Sequence, residues 1–388
     1  MKKYVLSAFI LCALQSAALA CSAAVISGAA SVGGNPVLWK NRDTSHFNNG
    51  AVFVKEQPYS YIGITNEDDM SGRRVWSGLN SAGFAVINTV AYNLPLPSDQ
   101  EKDLEGWVMG DVLRSCKNIA DFEAYLRRNM GPAFGCQTNF GVIDAEGGAA
   151  LFEVYNTSFT RFDANDAGGY LTVTNFSRSG TMNKGKGYIR FDRLGQLFSG
   201  VKGAKYSPEM ILQNFSRDIA NPMLGGKSFE KLYSSGQPYA HTVHTINRAT
   251  TASAVVFEGA KKDQSPKDAI MWVTLGEPLC SVAVPLWVET ETTPAEMQGG
   301  VKAPINVASM RLRSLLRHFA DDEHNEYADL RVLHKWLEPL RAKERKIFDE
   351  TAAFVKTSPN REQKAAFQNK MAARAVAILE EMAKKAAR

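Results

Sequence analysis

Between about residue 21 and residue 291 the chain carries short apolar or alternating runs bounded by turn formers, at 23–27, 37–40, 51–55, 61–65, 84–92, 140–144, 150–155, 170–174, 252–257, 270–275 and 281–288. Runs of this length and spacing predict strands. Helical spacing of apolar residues predicts helices at 104–116, 119–129, 189–198 and 208–219, each lying between groups of strands. Ala145-Glu146-Gly147-Gly148 reads as a hairpin turn and 259–267 as a longer one. Strands and helices occur in blocks and do not alternate one for one, which favours a layered α+β fold over a doubly wound parallel sheet.

Gly299-Gly300 and Pro304 mark a change of character. From Val307 the spacing of Leu315, Phe319, Tyr327, Leu330, Leu333, Leu337, Leu340, Phe348, Phe354, Phe367 and Ile378 predicts three or four amphipathic helices, punctuated by Pro339 and Ser358-Pro359. Residues 301–388 hold 18 Lys+Arg against 12 Asp+Glu, leaving 27 against 28 in the rest, so the formal charge of +5 belongs to this tail. Acids and bases interleave along it, as on a solvated helix face, and no groove-reading motif accompanies the charge, so nucleic-acid binding is not expected. A chain of 388 residues with 45% hydrophobic and 22% charged residues is not disordered, collagen-like or a multi-span membrane protein.

The first 20 residues follow a different grammar. Lys2 and Lys3 precede an apolar run at 4–14, and Ala18-Leu19-Ala20 gives the small-x-small pattern that signal peptidase cuts. The expected division is a signal peptide at 1–20, a body at 21–300 and a helical extension at 301–388, with the mature protein exported to the periplasm or medium. No later stretch is long and apolar enough for a transmembrane helix. Cys21, Cys116, Cys136 and Cys280 then remain in a compartment where disulfides form, and Cys116 with Cys136 is one candidate pair.

Several chemistries lack their signatures: the chain contains no H-E-x-x-H, C-x-x-C, G-x-x-x-x-G-K-[ST] or G-x-S-x-G. S-x-x-K at Ser199–Lys202 and Ser228–Lys231 is a short pattern of common residues. The six histidines show no metal-ligand spacing, and His241 and His244 fall on opposite sides of an alternating run. No metal or cofactor is implied.

Cleavage after Ala20 leaves Cys21 with a thiol and a free α-amine on one residue. An α-amine has a reference pKa of about 7.7–8.0, close enough to neutrality to accept the thiol proton. The thiolate is the nucleophile. Downstream, Lys40-Asn41-Arg42-Asp43 ends a second strand, Gly78-Leu79-Asn80-Ser81-Ala82-Gly83-Phe84 precedes Asn88, a hairpin follows at 140–154, Tyr170 to Asn175 reads Y-L-T-V-T-N, and Arg190-Phe191 opens a helix. In this order the segments resemble the cysteine N-terminal-nucleophile (Ntn) hydrolases, the group of choloylglycine hydrolases, penicillin V acylases and acyl-CoA:6-aminopenicillanic acid acyltransferase-like proteins.

The resemblance implies a four-layer αββα sandwich and a hydrolase of linear carbon–nitrogen amide bonds in a small-molecule substrate, working through a Cys21 acyl-enzyme. It implies Asp43 on the α-amine, Asn175 and Asn88 as oxyanion donors, and Arg190 lining the site. Lys40 stands where the family has arginine, Arg42 two residues on is the alternative source of the guanidinium, and Lys40 and Arg42 are the expected substrate-binding cations. An acyltransferase or dipeptidase uses the same thioester. A lipoprotein tethered at Cys21 is the rival from another class, although Ala18-Leu19-Ala20 has its leucine out of place for a lipobox. The sequence is compatible with a homo-oligomer.

Overall fold

The computed structural model describes residues 21–95, 102–299, 303–318 and 326–387. The expected signal peptide and the expected boundary at residue 300 lie outside the described residues. Two antiparallel sheets stack face to face. The first takes β1 (Ser22–Ile26), β2 (Val37–Asp43), β10 (Tyr170–Val173), β12 (Thr251–Glu258), β13 (Ile270–Leu275) and β14 (Val284–Leu286), in spatial order β10-β1-β2-β12-β13-β14. The second runs in chain order: β3 (Asn49–Val54), β4 (Tyr61–Asn66), β5 (Ser77–Asn80), β6 (Ala85–Val90), β7 (Gln137–Ile143), β8 (Ala149–Tyr155) and β9 (Ser158–Asp163).

Alternation along the strands builds the layers. Val25, Leu38, Ile62, Ala85, Ile87, Ile143 and Leu151 fill the space between the sheets. There Gly141 lets them touch, since a Cβ on it would lie 3.0 Å from the side chains of Ile87, Leu38 and Val25. The intervening residues of the second sheet, Val86, Phe140, Val142, Phe152 and Val154, face outward and pack on helices α1 (Glu105–Ser115) and α2 (Ile119–Asn129). α2 buries Ile119, Phe122 and Leu126 at helical spacing and is capped by the Asn118 side chain on the Asp121 N–H. Phe122 lies edge-on to both Phe140 and Phe152 at 5.7 and 5.0 Å between ring centres.

The outer side of the first sheet is covered by α3 (Tyr188–Ser199), the short α4 (Pro208–Met210) continuing as a π-turn at Ile211–Phe215, and α5 (Phe229–Ser234). The carboxyl-terminal helices α6 (Pro304–Leu316), α7 (Leu330–Leu333), α8 (Leu337–Val355) and α9 (Arg361–Ala386) complete that layer. The architecture is therefore α+β, in four layers αββα. The tail shares one core with the body: Trp272 stacks near Phe348 at 4.3 Å, and Trp336 Nε1 donates to the Leu279 carbonyl at 2.9 Å. A buried carboxylate, Glu344 of α8, accepts from Arg217 at 2.6 and 2.9 Å and from the Ala283 N–H at 2.7 Å.

Several expected elements differ. β5 and β9 have no apolar run to announce them; β9 is a half-exposed edge strand whose partner is β8. The run at 281–288 contributes only the three residues of β14, because 3-10 turns precede and follow it; Pro285 is accommodated within it at the edge of the sheet. Tyr327 is not helical but sits in β15 (Tyr327–Asp329), which pairs with β11 (Tyr239–His241) of the body. Cys116 and Cys136 are free thiols in the outer core, so the candidate disulfide is not formed. Burial pushes Cys116 up to about 11 and Cys136 well above the ordinary thiol range. No described helix is long and apolar enough to cross a membrane.

Candidate active site

Cys21 immediately precedes β1, an interior strand of the first sheet flanked by β10 and β2. Ser22 lies opposite Asn41 of β2 on one side, and Ala23 opposite Val173 of β10 on the other. The ends of three strands therefore converge: Cys21, Arg42-Asp43 and Thr174-Asn175. Residues on alternate positions share a face, and Val25 and Leu38 both meet Gly141 of the second sheet. Cys21, Lys40 and Arg42 consequently face into the space between the sheets, whereas Asn41 and Asp43 face the helical layer, where Asn41 Nδ2 donates to the Ser216 carbonyl at 2.9 Å. Cys21 is 6% exposed.

The Cys21 nitrogen donates to Asn175 Oδ1 at 2.9 Å. The same oxygen accepts from Arg190 Nη2 at 2.7 Å. Both partners are donors, which fixes the amide's orientation: oxygen toward the cysteine, Nδ2 toward the Val90 carbonyl at 2.8 Å. Arg190 closes the ring, its Nη1 donating to the Cys21 carbonyl at 2.5 Å and to Ser22 Oγ at 2.9 Å. The loop carrying Asn175 is itself pinned: Asn139 Nδ2 donates to the Phe176 carbonyl at 3.2 Å, and Glu153 accepts from the Arg178 and Ser179 N–H groups at 2.6 and 2.7 Å.

Two expected roles change in this geometry. Asn175 presents its oxygen, not an N–H donor, to the Cys21 nitrogen, the contact expected of Asp43. Asp43 instead accepts from Thr251 Oγ1 at 2.6 Å and pairs with Arg248 Nη1 at 3.5 Å. Asn88 shares the outward face of Val86 and Phe140, away from the first sheet, because it stands opposite Phe140 in the β6–β7 register. Its Oδ1 receives Lys40 Nζ at 2.7 Å, and Lys40 also donates to the Trp76 carbonyl at 2.8 Å. Asn88 thus anchors a cation, and the side chain of Lys40 reaches it past the end of β5.

Lys40 and Arg42 are 1% and 4% exposed, which makes them parts of the wall and not surface charges. Arg42 donates to Asn49 Oδ1 at 2.9 Å and Asn66 Oδ1 at 2.7 Å and lies 4.6 Å over the Trp76 ring. Burial drives the Lys40 ammonium down to about 8, opposed by Cys21, and Arg42 lowers it further. Burial likewise lowers Arg42 to about 9 and Arg190 to about 10, opposed by Cys21 and by Asp43 respectively. Desolvation raises the Asp43 carboxyl, and Arg248 and Arg190 hold it back. Lys40, Arg42 and Arg190 are thus three basic side chains buried in the wall around Cys21, placed to meet a negative charge that forms there.

Arg248 and Thr251 are site residues that no motif announced; they lie 205 and 208 residues from Asp43 in sequence. Among the described residues no group of three or more His, Cys, Asp or Glu side chains is placed to hold a metal ion.

No protein-family model and no curated protein matches the chain. Among solved structures it is similar to a variant of conjugated bile acid hydrolase from Clostridium perfringens, with 10% identity over 66% of this chain and 89% of that one and a TM-score of 0.40. It is similar to the Caenorhabditis elegans ortholog of N-acylethanolamine-hydrolyzing acid amidase, with 13% identity over 61% and 92% of the two chains and a TM-score of 0.37. It is also similar to penicillin V acylase from Agrobacterium tumefaciens, with 11% identity over 69% and 85% and a TM-score of 0.36.

Proposed function

We propose that this chain is an exported hydrolase of linear amide bonds in small molecules, with Cys21 as nucleophile and its own α-amine as base. The observation that carries the reading is the ring of Cys21, Asn175 and Arg190, in which a buried amide oxygen sits 2.9 Å from the cysteine nitrogen. In that position it orients the amine once signal peptidase has freed it. Until then the nitrogen is an amide without a basic lone pair, so export is the activating step.

The amine takes the thiol proton, and the thiolate sulfur bonds to the substrate carbonyl carbon. The tetrahedral oxyanion forms among the charges of Lys40, Arg42 and Arg190. The C–N bond then breaks, with the ammonium returning its proton to the leaving amine. Water, deprotonated by the same amine, attacks the thioester carbon and releases a carboxylic acid and the free thiol.

The test is a panel of p-nitroanilides and N-acyl amides of varied acyl length, assayed on the processed protein beside Cys21→Ala. Intact mass after rapid quenching reads the acyl adduct. The expected result is an adduct on the peptide containing Cys21 and no turnover in the alanine variant. Wild-type turnover in Cys21→Ala would overturn the proposal. Added amines that divert the acyl group in preference to water would move the reading to an acyltransferase.

A further inference from the structure

The segment 245–251 brings both partners of Asp43, Arg248 and Thr251, to the end of β2. Thr44 N–H donates to the Thr250 carbonyl at 2.9 Å, and Arg248 N–H to Thr251 Oγ1 at 2.9 Å. The guanidinium of Arg248 is poorly anchored through its own side chain. It meets Asp43 at 3.5 Å, and its Nε is buried without a hydrogen bond. Its position is therefore set by the backbone on either side.

That backbone is held from two sides, by a buried carboxylate of the body and by the carboxyl-terminal tail. On one flank, Asn247 Nδ2 donates to Glu277 Oε1 at 2.7 Å. On the other, Arg313 Nη2 of α6 donates to the Ala249 carbonyl at 2.7 Å. Glu277 is wholly buried and carries two arginines, Arg317 Nη2 from the end of α6 at 2.7 Å and Arg313 Nε of α6 at 3.4 Å. Arg317 Nη1 also donates to Thr242 Oγ1 at 2.8 Å. Two guanidinium groups on one buried carboxylate leave an excess of positive charge where desolvation is costly. Close packing of α6 needs no such arrangement, since Ile305, Leu312 and Leu316 already sit in the core.

We propose that α6 is part of the catalytic assembly, Arg313 acting with Glu277 and Arg317 as positioning residues that hold Arg248 against Asp43 beside the Cys21 site. This rests on the amide-hydrolase reading above. The cluster gives the tail a chemical task that its composition hid. Besides Arg248, the charged groups acting on Asp43 are Arg190 from α3 and Lys40 from its own strand. Losing the Arg248 contact lets burial raise the Asp43 carboxyl further.

The experiment is a double-mutant cycle on the processed protein with Arg313→Met, Arg248→Met and both together, reading kcat, KM and the pH dependence of kcat/KM. Arg313→Met and Arg248→Met should each lower kcat/KM by about 10- to 100-fold, as expected for misplacing a site group by about an ångström. The double variant should match Arg248→Met alone. Multiplying losses, or full activity in either single variant, would overturn the proposal. A merely structural Arg313 would lower the melting temperature while its effect on rate persisted in the Arg248→Met background.

If Arg313→Met fails to fold, Arg313→Lys replaces it with the same expected coupling. If no amide is turned over, the cycle is read on the rate of Cys21 alkylation by iodoacetamide, resolved by peptide mass, with the same criterion of non-additivity. Turnover that survives Cys21→Ala refutes the hydrolase reading itself and is distinct from additivity in the cycle.

Discussion

Asn175→Asp tests the amine-holding role of Asn175 most directly. The substitution keeps an oxygen at the position 2.9 Å from the Cys21 nitrogen and gives it a negative charge. Two unit charges at that separation interact by roughly 6 kcal/mol at an effective dielectric of about 20. The charge is spread over two oxygens, and Arg190, 2.7 Å from the same atom, takes a large share of it. A net rise of about 1–3 pKa units in the protonated form of the amine and thiol is expected. A carboxylate favours the ammonium and disfavours the thiolate, so both effects move the acidic limb of kcat/KM upward. Activity near pH 7 should fall about 10- to 1000-fold and recover as pH rises. The lost donor to the Val90 carbonyl costs about 1–3 kcal/mol, so the fold should survive with a lower melting point. Rates measured from pH 5 to 10 on one amide substrate decide the matter. A limb that stays in place or moves to lower pH would show that Asn175 does not act on the amine.

Cys21→Ala should leave the melting temperature nearly unchanged while turnover drops by at least about 10³-fold, checked by progress curves with intact-mass control. Glu344→Ala should destabilise the protein by about 3–5 kcal/mol in urea unfolding, because Arg217 is left buried without its carboxylate; a change below about 1 kcal/mol would contradict that account. A chain ending at residue 302 should be insoluble or lack a cooperative transition, since it exposes Trp272 and Trp287 and strands Arg217 and Glu277; a soluble, cooperatively melting product would refute this. Lys40 is lowered to about 8 when folded against an ordinary 10.5, so the unfolded chain binds more protons between those values and stability rises with pH across that window. Lys40→Met should lose that rise, worth about 3 kcal/mol at most, and parallel curves for the two proteins would exclude it.

By itself the sequence determined what local pattern and position in the chain can encode. Alternating runs placed most strands of both sheets, helical spacing placed α1 and α2, and the turn at 145–148 joined β7 to β8, because burial of one face with period 2 or 3.6 is a local signal. Of the residues singled out along the chain, Cys21, Asn175 and Arg190 share hydrogen bonds, and Lys40 to Asp43 end the neighbouring strand β2. The tertiary structure alone decided which atom faces which. A one-residue register choice sends Asn88 to the helical side of its sheet, so a residue in the expected segment grips Lys40. Donor geometry from two neighbours turns the Asn175 oxygen to the cysteine nitrogen, which leaves Asp43 to Thr251 and Arg248. The pairing of Arg313 and Arg317 with Glu277 joins residues with no sequence relation. Charges on a helix face look the same in sequence whether they end in water or on a buried carboxylate, and only packing separates the two.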